Sequence, residues 1–140
     1  MTREEIMRFT PHRDGMLLLD EAWLIGPESA QSRYTVRGDE FFLQGHFPGN
    51  PVVPGVMLCE MLAQTCAVLL QADGTRITPY YTGMKNVLFK RRVRPGETVT
   101  FACELTRKVG NFFFAKGQGA VDGKVCVTAE FSFALLENEA

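Results

Sequence analysis

The sequence predicts an α+β domain in which a curved antiparallel sheet of about five or six strands wraps around one long central helix. Three observations lead there. Residues 56–72 carry many strong helix formers and neither Gly nor Pro. The last third of the chain alternates apolar and polar residues with a period of two, the mark of half-buried strands. Asp122-Gly123 separates two of these segments, a strong hairpin signal. Hairpin connections around a single long helix exclude a doubly wound parallel sheet.

The elements follow in order. Thr2 and Glu5 have capping-box spacing and start a short helix over about residues 3–9, stopped before Pro11. "MLLLDEAWLI" (16–25) reads as a buried strand. "AQSRYTVR" (30–37) reads as an alternating one, with Gly26-Pro27 turning between them. "DEFFLQGHF" reads as loop. The helix over 56–72 is apolar nearly all round and is therefore expected to be buried. Its exceptions, Glu60, Gln64 and Gln71, stand four and seven residues apart and form one stripe. "DGTRITP" (73–79) breaks it. Strands are expected over 82–93, 98–105, 111–121 and 124–135. In the last, Val125, Val127, Ala129, Phe131 and Phe133 share a face opposite Thr128, Glu130 and Ser132. Such a sheet leaves an open side, so dimerisation is expected.

The 140 residues read as one domain, 1–140, and suffice for a real core. At 46% hydrophobic and 22% charged residues, the composition is that of a globular chain, not a disordered one. A net charge of −1 argues against nucleic acid as the main partner. The N-terminus lacks the apolar core of a secretory signal, and the stretch from Val56 to Leu70 is too short and too polar to span a membrane. A cytoplasmic protein without a membrane partner is the expectation. The four cysteines, at 59, 66, 103 and 126, form no C-x-x-C pair and sit in apolar segments, so all four read as buried core residues and not as zinc ligands or a catalytic thiol.

The chemistry concentrates in "GHFPGNPVVPGVMLCEMLAQ" (45–64). A helix beginning after Pro54-Gly55 aims free backbone N–H groups and about half a positive charge at whatever lies before it. Gly55 has no side chain, so a ligand can approach its N–H, the arrangement that stabilises a developing oxyanion. Glu60 lies in the second turn; burial would raise its pKa and suit it to a general acid, with Gln64 one turn on to hold it. His46 is the natural base near neutral pH, fixed by Phe47-Pro48-Gly49 and Pro51 in a loop whose X-Pro bonds make a cis peptide possible. Base, acid and oxyanion donor together suit removal of a proton α to a carbonyl while a β-hydroxyl leaves. On spacing alone, His46 can equally be a hydrogen-bonded loop residue and Glu60 part of a solvated helix face.

The same stretch resembles the signature of FabZ-type β-hydroxyacyl-acyl-carrier-protein dehydratases. "PHR" with "LLLD", "FKR" with "RPGE", and "GKVCVTAEF" resemble that family in the same order, so the similarity covers nearly the whole chain. The resemblance implies a hot-dog fold and dehydration of (3R)-3-hydroxyacyl-carrier-protein thioesters to trans-2-enoyl thioesters in fatty-acid synthesis, with no metal or organic cofactor. It implies His46 as base, Glu60 as the group that protonates the departing hydroxyl, and the Gly55 N–H on the thioester carbonyl. It also implies a homodimer whose sites each take His and Glu from different chains, assembled as a trimer of dimers. Glu at position 60, where FabA-type isomerising enzymes carry Asp, favours the FabZ branch. Asp14-Gly15-Met16 and Arg92 depart from the family's usual "YPF" and proline.

Other features admit two readings. The run Lys85, Lys90, Arg91, Arg92, Arg94 is either a solvated strand edge or a docking patch for an acidic carrier protein, centred on Lys90, Arg91 and Arg92. Phe89, Phe101, Phe112, Phe113 and Phe114 belong to the core and subunit contacts or line an acyl tunnel. His12 reads as structural. The competing functions are a hot-dog acyl thioesterase, which would hydrolyse instead of eliminating water, and a non-catalytic acyl-binding module, which needs neither His46 nor Glu60.

Overall fold

The computed structural model describes residues 2–7, 14–70 and 77–137. Its elements are α1 (Arg3–Ile6), β1 (Glu21–Leu24), β2 (Ser29–Thr35), α2 (Gly55–Leu70), β3 (Ile77–Phe89), β4 (Thr98–Val109), β5 (Phe112–Val121) and β6 (Lys124–Glu137), with 3-10 turns at Asp14–Met16 and Phe41–Leu43. The six strands form one antiparallel sheet in the order β1-β2-β4-β5-β6-β3. α2 packs against every strand. This is the helix wrapped in a sheet, the hot-dog arrangement.

The order explains why α2 must be long. It follows β2 in the chain and leads to β3, so it crosses the sheet from one side to the far edge. Its 16 residues span about 24 Å. The crossing covers four strand spacings, about 19 Å. Every residue from Met61 to Leu70 is buried. On the sheet side Leu58, Met61 and Leu62 meet Phe101, Val127, Phe131 and Phe133 in one cluster. Further along the helix, Val68 packs with Ile6, Leu17, Leu19 and Ala22. The all-round apolar pattern of the helix has these two clients.

The alternation in β4 and β6 holds: Val99, Phe101 and Cys103 are buried, as are Val127, Ala129, Phe131 and Phe133. Thr2 accepts from the Glu5 N–H as its capping role requires. α1 ends at Ile6, and residues 8–13, including His12, lie outside the described part, as does Gln71. Two strands differ from expectation. The run expected as a strand over 16–25 pairs only from Glu21 to Leu24, because Leu17–Leu19 bury themselves under the helix instead of joining the sheet. The edge strand β3, expected over 82–93, begins at Ile77, within the segment expected to break the helix, and ends at Phe89. It contains Pro79, opposite Leu135 of β6; proline is found on edge strands, where only one side of the strand carries a ladder.

All four cysteines are buried, as expected, but two of them are bonded to each other, which was not expected. Cys59 and Cys126 are free and buried, and burial pushes both thiols up. Cys66 and Cys103 are instead joined as a disulfide between α2 and β4. The buried face of the helix sets Cys66 over Cys103 with Cα atoms 6.0 Å apart, an ordinary separation for the bond.

Candidate active site

His46 sits in a loop that folds back on itself. The Val52 N–H donates to His46 O at 2.8 Å, and Phe47 and Asn50 exchange backbone hydrogen bonds at 3.0 Å each way. Gly45 and Gly49 supply the positive φ values, 80° and 73°, that the reversal needs. The His46–Phe47 peptide is cis. The sequence made a cis bond possible at an X-Pro step of this loop; the cis bond precedes Phe47 instead. The His46 ring Nδ1 is 2.9 Å from Val52 O. A carbonyl can only accept, so Nδ1 carries the hydrogen. In the neutral ring Nε2 is therefore left with a free lone pair, the form a general base requires. Phe47 stacks on the imidazole with ring centroids 4.2 Å apart. Phe47 and Pro48 are themselves exposed.

The loop leading to His46 is anchored by a charged network that sequence reasoning missed. Glu40 accepts from the N–H groups of Arg37 and Gly38 and from the Tyr34 hydroxyl, the last at 2.8 Å. Arg37 bridges to Asp20 at 2.7 Å. Burial alone would raise the Glu40 pKa; the hydrogen bonds from Arg37, Gly38 and Tyr34 outweigh it and hold the carboxyl below its usual range. Burial, then the Glu40 contact, pushes the Tyr34 phenol up, so it stays a donor.

After the loop, the Val53 N–H donates to Val93 O at 2.8 Å, and α2 begins at Gly55. The Met57 N–H and Leu58 N–H close back on Pro54 O. No backbone hydrogen bond from the Gly55 or Val56 N–H occurs among the described residues, as expected for the first turn of a helix. Glu60, one and a half turns on, is half-buried. Gln64 Nε2 donates to Glu60 Oε1 at 3.2 Å and to Met16 O at 2.6 Å, and Gln64 Oε1 accepts from the Leu18 N–H at 2.8 Å. Gln64 thus holds the carboxyl and ties down Leu17–Leu19 as well. Tyr81, another residue the pattern did not single out, donates from its phenol to Cys59 O at 2.9 Å and stacks on Phe133. Burial first, then the Glu60 charge, raises its pKa.

The structure therefore places His46, Gly55, Glu60 and Gln64 along one loop–helix unit, and none of the hydrogen bonds described joins His46 to Glu60. A separate groove lies on the outer sheet face, among Gln31, Gln118 and Thr128. Lys90, Arg91 and Arg92 are all exposed, directly after β3. Of the aromatics, Phe101 is fully buried, Phe89 and Phe112 are exposed, and Phe113 and Phe114 lie half-buried under Lys108 and Arg107. Among the described residues no three His, Cys, Asp or Glu side chains converge as a metal centre.

Comparison with known proteins bears on the family and the fold. Residues 10–130 match the model of the FabA-like domain. The chain is 39% identical over 131 residues to a 3-hydroxyacyl-[acyl-carrier-protein] dehydratase FabZ of Petrotoga mobilis, covering 93% of this chain and 94% of that one. It is 41% identical over 138 residues to the FabZ of Oenococcus oeni, covering 96% and 99%. Among solved structures, the dehydratase heterocomplex ApeI:P of Xenorhabdus doucetiae superposes with a TM-score of 0.82 at 20% identity, over 95% of this chain and 91% of that one, a likeness of fold. On the signature around His46 and Glu60, the fold and full-length identity to these relatives, the chain belongs to the FabA-like family, as a 3-hydroxyacyl-[acyl-carrier-protein] dehydratase of FabZ type.

Proposed function

We propose that the chain dehydrates (3R)-3-hydroxyacyl thioesters of acyl carrier protein to trans-2-enoyl thioesters, with His46 and Glu60 as the acid–base pair. The tautomer of His46 carries this reading. Its Nδ1–H is held by Val52 O, so Nε2 is the basic atom and takes the proton from the α-carbon. The Gly55 N–H, at the positive end of α2, receives the charge that builds on the thioester oxygen. Glu60, steadied by Gln64, protonates the departing hydroxyl. Each acid–base group contributes on the order of 10²–10⁴-fold.

The finer assembly belongs to the same proposal. A homodimer completes each site with His46 of one chain and Glu60 of the other, and three dimers form a hexamer. β3 supports a pairing role: β6 is its sheet neighbour on one side, and it exposes Tyr80, Met84 and Leu88. Lys90, Arg91 and Arg92 dock the acidic carrier protein. Hydrolysis of the thioester is the competing reaction. The test is turnover of 3-hydroxybutyryl or crotonyl carrier protein by the purified protein. Dehydration or hydration is expected, reduced at least about 10²-fold by His46→Ala or Glu60→Gln. Thiol release, or turnover indifferent to His46→Ala, would overturn the proposal.

A further inference from the structure

Position 55 is not glycine merely to leave room for a ligand. A Cβ built on Gly55 would stand 2.8 Å from both Cε1 and Cζ of Phe89 and 3.0 Å from its Cδ1. Carbon atoms in contact sit at about 3.5–4.0 Å, so the Phe89 ring already occupies the space over the first residue of α2. The backbone that carries this ring is fixed on both sides. Phe89 pairs with Val127 at the end of β3, and the next residue, Lys90, donates to Cys126 O at 2.8 Å. The side chain itself is 52% exposed. A large apolar ring, half in solvent, thus lies across the helix end whose N–H groups are uncommitted.

We propose that Phe89 is a positioning residue for the thioester: its ring walls the Gly55 N–H on one side and is the reason position 55 tolerates no side chain. This rests on the dehydratase reading above. With the ring in place, a carbonyl can reach the N–H only from the remaining side, which narrows its approach. The ring also keeps water from that flank of the developing oxyanion, where a hydrogen bond stabilises charge most. Any side chain at position 55 would act through the ring, by pushing it out toward solvent, and not only by meeting substrate. Phe89 therefore links the basic run that follows it to the helix end without contacting the reacting atoms.

A double-mutant cycle separates this from a plain packing role. Gly55→Ala, Phe89→Ala, Phe89→Leu and the double variant Gly55→Ala/Phe89→Ala are assayed as oligomers on 3-hydroxybutyryl carrier protein, with kcat, KM and melting temperature for each. Gly55→Ala is expected to lower kcat about 10²-fold and to lower the melting temperature, because the Phe89 ring must be pushed out toward solvent and the better helix propensity of alanine offsets only part of that. Phe89→Ala is expected to lower kcat about tenfold more than it changes KM, as a loss of orientation does. Phe89→Leu should recover part of that. The double variant should be no worse than Phe89→Ala alone. Losses that multiply in the double variant, or a wild-type kcat for Phe89→Ala, would overturn the proposal. Wild-type protein without dehydratase turnover would refute the reading it rests on. The packing half is then judged by melting temperature alone: Gly55→Ala must be better tolerated when Phe89→Ala is present, and equal shifts in both backgrounds overturn it.

Discussion

Replacing Gln64 with leucine would separate the two tasks this residue performs. Gln64 is fully buried. Its amide accepts from the Leu18 N–H at 2.8 Å and donates to Met16 O at 2.6 Å and Glu60 at 3.2 Å. Leucine has nearly the same volume, so no large cavity opens. The abandoned partners differ in what they can do next. Met16 is 42% exposed, and its carbonyl can turn to water. Leu18 is 1% exposed, so its N–H stays dry and unpaired. An orphaned buried donor costs about 1–3 kcal/mol, and the apolar side chain offsets part of that, leaving a net loss of about 1–2 kcal/mol. With a urea slope of about 1.5–2 kcal/mol/M, the midpoint should fall by about 1 M. Glu60 loses its holder in the same step, and kcat should drop at least about tenfold. Urea denaturation and steady-state dehydration are the two readouts. A midpoint unchanged within about 0.2 M would refute the assignment of Leu18 to Gln64. A wild-type kcat would refute its hold on Glu60. Gln64→Glu makes a sharper control. It keeps the acceptor for Leu18, but its carboxylate cannot donate and repels Glu60, so activity should fall further at neutral pH.

Three other outcomes are expected. The Cys66–Cys103 bond closes a loop of 37 residues, which in the chain-entropy account is worth about 4 kcal/mol; unfolding without reductant should expose two thiols to titration, and four would refute the bond. Glu40 has a depressed pKa, so its stabilisation is present above the ordinary carboxylate range and is lost as pH falls through the folded value; the gap in urea midpoint between wild type and Glu40→Gln should be open at neutral pH and close below about pH 4. Arg91→Ser with Arg92→Ser should raise KM for carrier-protein substrates about three- to tenfold and flatten its salt dependence, leaving a short N-acetylcysteamine thioester unaffected; an undiminished salt dependence would discard the patch.

What the sequence revealed, and what it hid, follows from how local each cause is. β4 and β6 were legible because one face is buried over the first half of β4 and from Val127 to Phe133 in β6, which writes a period of two into the residues. α2 was legible through its composition, and the His46–Gly55–Glu60 spacing through its motif. Leu17–Leu19 misled, since a run buried under a helix looks like a run buried in a sheet. β5 was visible as alternating small residues, but its reason was not. A Cβ at Gly117 would meet Ala102 O and Leu62 Cδ2 at 2.9 Å, and one at Gly119 would meet the Phe101 ring at 2.8 Å. These are partners far away in the chain. The disulfide, the Tyr81 bond to Cys59 O and the ring of Phe89 over Gly55 were hidden for the same reason: each joins segments whose separation carries no local pattern.

The path of α2 across the sheet bears on time as well as on shape. β4, β5 and β6 are consecutive hairpins, so they can zip from their turns within a short length of chain. β3 cannot. Ile77 pairs with Glu137, at the far end of the final strand, and α2 has no complete surface to lie on until the meander exists. Contacts of this reach form late and slowly, because a long loop must close before they contribute. The helix that carries Gly55, Glu60 and Gln64 therefore settles on a sheet already built. The residues of the candidate site are expected to take their places late, as the helix covers the apolar face that the meander presents.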